Sequence, residues 1–542
     1  MPDVILVQPY PFADHPSFPE GILKRALEAA GFSVGVIEAP YWQDAGSFEV
    51  LGRPALFFAV VAGPLDSIVL NYTAGRRRRR EDLYQVDGQA YFAGRPPDIK
   101  FKIRPDRSVT VFCNRLRQAV PGAPLVIGGV EASLRCFAHY DFQEDKVRRS
   151  VLLDSRADIL VNGNGEKQIV AIARLLRQGV PVREIDIAGT ARVWTQLPPE
   201  KNCLELPACE EVQADPARLL ESQLRINEAG PLRALAQKHA NRWVVQNPAE
   251  RYGGADLDFI YGLGYARRHP GRAGYSPALR MNLFSVTSHR GCAGGCSFCS
   301  ITQSEGRRVV SRSPDSILGE VRSLAAHPEW RGVVSDIGGP TAEMFGSDCS
   351  APACARSSCL VPRACPQCGA GEPYRDLLRR SRSQPGVKKV LLGSGVRHDL
   401  MLRNPDLLDE IMREHVGRFL RVAPEHTEDE VLGLMGKPRF AVFEEFVALF
   451  QRLNRKLQRP VELAPYLIVG HPGETTAMVH SMKEKLHALG LKTCDAQIFT
   501  PSPGTLSTAM YHAEVAPDGR SLAVEKDIRA LQERKALLAR VQ

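Results

Sequence analysis

The chain has 542 residues, with 70 Lys and Arg against 61 Asp and Glu, a surplus of +9. At 44% hydrophobic and 24% charged residues it is too apolar to be a disordered chain, and nothing in it suggests a fibre. The length allows roughly three domains with sizeable cores. No apolar run approaches the roughly 18 residues of a membrane span, and residues 4–7, followed by Pro9, are too short for a secretory signal. A soluble, cytoplasmic protein that does not associate with membranes is the expectation.

In chain order, the first two hundred residues alternate short β-branched runs with helical patterns. The runs are residues 4–7, 34–37, 68–70, 125–127 and 159–161. Between the first two, Ile22, Leu23, Ala26, Leu27 and Ala30 recur at helical spacing, and Gly31 stands where a C-cap belongs. Such repetition predicts a doubly wound parallel sheet over residues 1–195. Gly128-Gly129 and Asn162-Gly163-Asn164-Gly165-Glu166 follow two of the runs, where sheets of this kind meet ligands. Arg76 to Arg80 form an uninterrupted arginine run, read either as a solvated loop or as a phosphate contact.

Residues 196–282, with Pro198, Pro199, Pro207 and Pro216 and then a Gly-, Tyr- and Arg-rich stretch, predict a linker with a small helical subdomain. From residue 283 the alternation resumes. Strands are expected at 283–287, 332–336, 389–392, 418–422, 466–469 and 496–499, with helices such as 317–324 and 443–453 between them. Six βα units predict a partial parallel barrel ending near residue 512. Residues 346–372 form a Cys-rich insertion, and one amphipathic helix is expected in the tail, at 522–541 of the segment 513–542.

Thirteen cysteines without a secretory signal point to metal or catalysis rather than disulfides. Cys113, Cys136, Cys203, Cys209 and Cys494 are scattered and read as small buried hydrophobes. Cys292, Cys296 and Cys299 stand in a C-x3-C-x2-C on a glycine-containing loop after the first expected barrel strand. Three thiolates can hold three irons of a cubane and leave the fourth open to a small molecule, unlike the four-cysteine ferredoxin pattern. Cys349, Cys354, Cys359, Cys365 and Cys368 form a second group. Its spacings fit neither common zinc template, and a structural zinc, an auxiliary iron–sulfur cluster and unmetallated or redox-reactive thiols stay open.

The triplet resembles the signature of the radical S-adenosylmethionine (SAM) superfamily. The wider strings Thr287-Ser288-His289-Arg290-Gly291-Cys292 and Cys299-Ser300-Ile301-Thr302 resemble the YgiQ-type proteins within it. Asp14-His15-Pro16-Ser17-Phe18, Ser335-Asp336-Ile337-Gly338-Gly339-Pro340-Thr341, Ser394-Gly395-Val396-Arg397, Ala423-Pro424-Glu425-His426-Thr427 and Phe499-Thr500-Pro501-Ser502-Pro503 extend the likeness over residues 1 to 512. The resemblance implies an α/β protein, with an N-terminal Rossmann-like domain of the cobalamin-binding type before a partial (β/α)6 radical SAM barrel at 283–512. It also implies an enzyme with a [4Fe–4S] cluster on Cys292, Cys296 and Cys299 that reductively cleaves SAM, so that a 5′-deoxyadenosyl radical acts on an unidentified substrate.

By the same resemblance Phe298 lies by the adenine, and Gly338 and Gly339 meet the SAM amino group, with Pro340 where the superfamily often has Glu. Glu425 reaches the ribose, and Gly470, within Ile468-Val469-Gly470-His471-Pro472-Gly473-Glu474, borders the adenine. Arg397 pairs the SAM carboxylate or else serves a structural salt bridge. An electron donor of the flavodoxin or ferredoxin type is implied. Two other readings stay open: an RNA-modifying enzyme that transfers methyl or methylthio groups, suggested by the arginine run and the net charge, and a non-catalytic iron–sulfur regulator. The lower-axial motif Asp-x-His-x-x-Gly is missing, since Asp14 and His15 are adjacent. The expectation is therefore a cobalamin-type fold without its corrinoid.

Overall fold

Strand β1, Val4–Gln8, is buried along its whole length, the mark of a strand covered on both faces. It belongs to a computed structural model that describes residues 1–349, 354, 356, 358–491 and 495–539. Cys494, Pro352 and the last residues of the expected tail helix lie outside the described residues. The chain divides into two units, Met1–Arg251 with Leu263–Leu283, and Tyr252–Gly262 with Phe284–Gln542.

In the first unit Val34–Glu38 (β2), Phe57–Val61 (β3), Leu125–Gly128 (β4) and Ile159–Val161 (β5) join β1 in a parallel order β2-β1-β3-β4-β5. Successive residues serve opposite faces. Val4, Leu6, Phe57 and Ala59 pack with Leu27, Ile169 and Ile172, from the helices Pro19–Ala29 and Glu166–Arg177. Ile5, Val7, Phe58 and Val60 pack with Val109, Phe112 and Leu116 of the helix Ser108–Ala119. Phe112→Ala is expected to cost this unit about 3–5 kcal/mol in denaturant unfolding.

The expected strand at 68–70 is a helix, Ser67–Asn71. Asp66 accepts from the N–H groups of Ile68 and Val69 at 2.9 and 3.4 Å and starts a helical turn there. The strand of that unit is β3, which the sequence reading passed over. The region 196–282 also differs from expectation. Thr190–Trp194 (β6), Leu204–Leu206 (β7), Leu235–His239 (β8) and Arg242–Gln246 (β9) extend the sheet in the order β5-β6-β9-β8-β7, antiparallel except for β7 with β8. The prolines punctuate elements rather than a linker. Pro216 opens the helix Pro216–Ala229, with Asp215 as its cap.

Leu263–Leu283 is fastened to the Asp14-His15 string. Asp14 and Arg267/Arg268 exchange backbone hydrogen bonds of 3.0 and 2.8 Å, and the His15 ring meets the Arg267 guanidinium at 3.0 Å. These two family-like residues therefore hold structure. Cys113 and Cys136 are buried as expected, with their thiols pushed up by burial.

In the second unit Ser285–Thr287 (β10), Asp336–Gly338 (β11), Lys389–Val390 (β12), Phe419–Glu425 (β13), Glu462–Val469 (β14) and Asp495–Ile498 (β15) follow one another. β10 pairs β11, Val333–Val334 pairs β12, Val396 bridges Val422 of β13, and β13-β14-β15 form a sheet, all in parallel. Helices such as Pro314–Ser323 and Phe440–Asn454 connect them. The tail helix is shorter than expected, Ile528–Leu538, because Asp527 caps it late. No helix among the described residues is long and apolar enough to cross a membrane.

Candidate functional site

The loop from Gly291 to Cys299 follows β10 and the short pairing of His289–Arg290 with Val310–Ser311. Backbone bonds fix it at several points. Cys292 N–H donates to Gly306 O at 3.1 Å, Cys299 N–H to Cys296 O at 3.2 Å, and Ser297 N–H to Met435 O at 3.0 Å. Ser297 Oγ donates to Leu434 O at 2.7 Å and meets Ser507 Oγ at 2.7 Å, and Ser507 Oγ in turn meets His471 Nε2 at 2.7 Å. The cysteine loop is thus tied to the segments after β13, β14 and β15.

Burial pushes the Cys292 thiol up, and Cys299 up to about 12. A bound metal cation would invert that preference. Arg397 adds a fixed positive charge beside the loop. Its Nη1 lies 3.7 Å from Cys296 Sγ, while Nε and Nη2 grip Asp399 at 3.0 and 2.8 Å. A Cβ on Gly294 would stand 2.9 Å from Arg397 Nη1 and 3.4 Å from Cys292 Sγ, so glycine keeps this inner edge of the loop open. Among the described residues no three His, Cys, Asp or Glu side chains are gathered into a metal-holding arrangement, at this loop or elsewhere. The donor set, three thiols on one anchored loop beside a guanidinium, nonetheless fits a cubane with one open iron.

The other expected residues fall as follows. Phe298 lies edge-on to His471, with centroids 6.5 Å apart, and Lys437 Nζ is 5.9 Å from its ring centre. Gly338 ends β11. Gly339 packs on the buried His289, where a Cβ would come within 2.7 Å of the imidazole. Glu425 closes β13 at a register shift, with φ +70°, and its carboxylate is 3.2 Å from Lys437 Nζ. Gly470 has φ +79°, a conformation that favours glycine, and lies against Leu531 of the tail helix.

Sequence reasoning missed Lys437, Asp399, Glu343 and Ser507. Glu343 is fully buried. It accepts from the Arg397 N–H at 2.5 Å, and its second oxygen has no hydrogen-bond partner among the described residues. Burial raises its carboxyl to about 7 from 4.5. The unfolded chain loses this proton first, so stability present below about pH 4.5 is lost as pH rises toward about 7. Glu343→Gln should flatten that part of the stability profile, read as Tm against pH for the two proteins.

The second cysteine group packs against the first. Cys359 N–H donates to Ala293 O at 2.9 Å, and Cys359, Cys365 and Cys368 share an apolar cluster with Cys292, Met344 and Leu400. Cys349 Sγ is 3.7 Å from Gln367 Oε1, and Cys354 is exposed.

Residues 1–285 match the family model for the radical SAM N-terminal region, and residues 286–486 match that of the radical SAM superfamily. The chain is 43% identical to a UPF0313 protein of Geobacter sulfurreducens, covering 99% of this chain and 89% of the relative. It is 40% identical to one from Methanosarcina acetivorans, covering 99% and 76%. The chain belongs to the UPF0313 family of radical SAM proteins. It is a radical SAM enzyme, as the cysteine triplet and its flanking strings implied.

Among solved structures, the UPF0313 chain is similar in fold to the radical SAM methyltransferase TsrM of Kitasatospora setae with cobalamin and a [4Fe–4S] cluster bound. The TM-score is 0.54 at 16% identity, over 99% of this chain and 90% of that one. A second TsrM structure, with tryptophan and a SAM analogue, gives 0.53. These matches correct the expectation set against cobalamin. A protein sharing this fold across both units carries the corrinoid, so a missing Asp-x-His-x-x-Gly motif is no ground for excluding it.

Proposed function

We propose that the protein binds a [4Fe–4S] cluster through Cys292, Cys296 and Cys299. In a partial (β/α)6 barrel built from β10 to β15, it reductively cleaves SAM and delivers a 5′-deoxyadenosyl radical to a substrate. The observation that carries this is the anchored three-thiol loop just beyond the carboxyl end of the first parallel strand. Three thiolates leave one iron of a cubane free of protein ligands. Bound there, the cluster supplies the electron that breaks the sulfonium carbon–sulfur bond to give methionine and the deoxyadenosyl radical.

The chain's own residues do the rest. Arg397, held by Asp399, offsets the negative charge of the cysteine sulfurs through the Nη1 that faces Cys296. Ser297, Ser507 and His471 keep the loop in register with the strand ends. Burial pushes His471 down to about 3, so its ring is neutral at working pH and serves as a hydrogen-bond partner rather than a charge. Backbone at Gly338 and Gly339 meets the SAM amino group, Phe298 lies by the adenine, and Glu425 accepts the ribose hydroxyls.

A corrinoid bears on the first unit. Its strand order places the ligand crevice between β1 and β3. Beyond those strand ends the buried Arg104, paired with Asp82, lies over the Tyr10 and Tyr84 rings and donates to Ala62 O at 3.3 Å. Gly128 at the end of β4, Gly129 at the start of the helix Gly129–Ser133 and Gly163 after β5, all half-buried, are the residues that would face a corrinoid, and none of the steps above passes through it. Corrinoid absorbance kept through desalting, after anaerobic incubation with hydroxocobalamin, decides its presence.

The function itself is tested on anaerobically reconstituted protein with SAM and dithionite. Methionine and 5′-deoxyadenosine should appear together in the reduced sample alone. A reduced, cluster-loaded protein that binds SAM and releases neither would sink the reading.

A further inference from the structure

The arginine run lies in the stretch between β3 and the helix Ser108–Ala119, and the catalytic reading makes no use of it. Residues 71–104 hold nine Lys and Arg against four Asp and Glu, a surplus of five out of the chain's nine. The buried members are paired off: Arg104 with Asp82 at 3.0 Å, and Lys102 with Asn71 O at 3.0 Å. Arg76 to Arg80, Arg95 and Lys100 remain at the surface, offset by Glu81, Asp87 and Asp98. Lys100 has Asp98 at 3.9 Å, but among the described residues none of the five consecutive arginines forms an ion pair.

The run is held in shape. Thr73 N–H donates to Arg77 O at 2.8 Å, Arg79 N–H to Asn71 O at 2.8 Å, and Arg78 bridges Tyr72. Arg79 Nε donates to Tyr72 O at 3.1 Å, and Arg76 carries φ +56°. Lys102 lies over the Tyr72 ring and pairs with Tyr91, while Arg95 and Lys100 sit 5.3 and 5.0 Å from the Phe101 ring centre. Arginines on a fixed turn, continued by cations seated on an aromatic ring, form one basic strip.

We propose that this strip binds single-stranded RNA through its phosphates. An unpaired guanidinium loses little on meeting a phosphate and matches it with a planar two-bond fork, which an ammonium does not. Arginine beside aromatic side chains is the composition that tracks a nucleic-acid backbone and stacks on its bases. An acidic protein partner would call for an apolar centre, and residues 76–80 contain none. An anionic membrane favours an amphipathic helix or a loose basic tail, and this run is neither. The proposal stands apart from SAM cleavage, because its readout needs no turnover.

The experiment uses the full-length, cluster-loaded protein and a fluorescein-labelled mixed-sequence oligoribonucleotide, with anisotropy followed against KCl concentration. The test variant is R77S/R78S/R80S, which spares the Arg79 turn bonds. The control is R452S/R455S/K456S, which removes the same charge from the end of the helix Phe440–Asn454. The test variant should weaken binding at least about tenfold at low salt. It should also reduce the slope of log K against log salt by about two, at roughly 0.7 per phosphate lost. The control should match wild type, and equal melting temperatures for all three show that folding is not the cause. Absence of RNA binding by wild type at low salt overturns the proposal, as does equal weakening by both variants. Binding of phosphatidylserine vesicles or an acidic flavodoxin through the same three arginines, with RNA left unbound, overturns it in favour of those partners.

Discussion

Replacing Cys292, Cys296 and Cys299 with alanine should abolish the iron–sulfur chromophore of the reconstituted protein, and reductive SAM cleavage with it. Single replacements should come close to the same result, because a cubane held by two thiolates has lost a third of its protein ligands. The effect belongs to the site and not to the fold. None of the three side chains is fully buried, and the loop stays anchored by Ser297, whose bonds to Leu434 and Ser507 do not involve sulfur. The triple variant should therefore melt close to the apo wild type, with iron and 5′-deoxyadenosine near zero. Product formation at the wild-type rate by the triple variant would end the proposal. Handling in air should mimic part of the loss, since an open iron and accessible sulfurs are oxidised readily.

The site was legible in the sequence wherever its chemistry is local. Cys292, Cys296 and Cys299 announce themselves within eight residues, and the strands at 34–38, 125–128 and 159–161 within three to five. What stayed hidden depends on distant partners. Ser507 meets Ser297 across 210 positions, and Arg397 reaches Cys296 across 101. A serine or an arginine carries no sign of such a contact. Asp399 escaped notice for another reason. A carboxylate two residues from an arginine looks like surface charge, yet both are almost wholly buried and bind through a fork.

The strand error at 68–70 has the same root. Ile68, Val69 and Leu70 suit either structure, and only the Asp66 cap decided for a helix. In 196–282 proline density suggested a linker. The sheet-extending strands there are three to five residues long, and β7 offers only Leu204 and Leu206 as an apolar signal. Gly339 also packs on His289 and Gly470 on Leu531, contacts with distant partners that the sequence does not announce.

Glu425 and Lys437 should show strong coupling in the second unit. Both are nearly buried, 3.2 Å apart, and Lys437 also donates to Ala423 O at 2.8 Å while facing the Phe298 ring. Removing one partner leaves the other charge buried and uncompensated, at a cost of about 3–5 kcal/mol. Glu425→Ala and Lys437→Ala should therefore each lower stability markedly. The double variant E425Q/K437M removes both charges with little change in volume and should recover most of that loss.

SAM affinity should behave differently. If Glu425 accepts the ribose hydroxyls, the double variant regains stability but not binding. The expected loss is about 1.5–3 kcal/mol, roughly ten- to a hundredfold in Kd, with iron content unchanged. Isothermal titration of anaerobic, cluster-loaded protein with SAM measures this directly. A double variant that binds SAM as wild type does would leave the pair as a structural brace behind Phe298 and take Glu425 out of the pocket. A variant that melts like wild type, keeps its iron and binds SAM weakly would place the carboxylate on the ribose, because no loss of packing or charge balance remains to account for the difference.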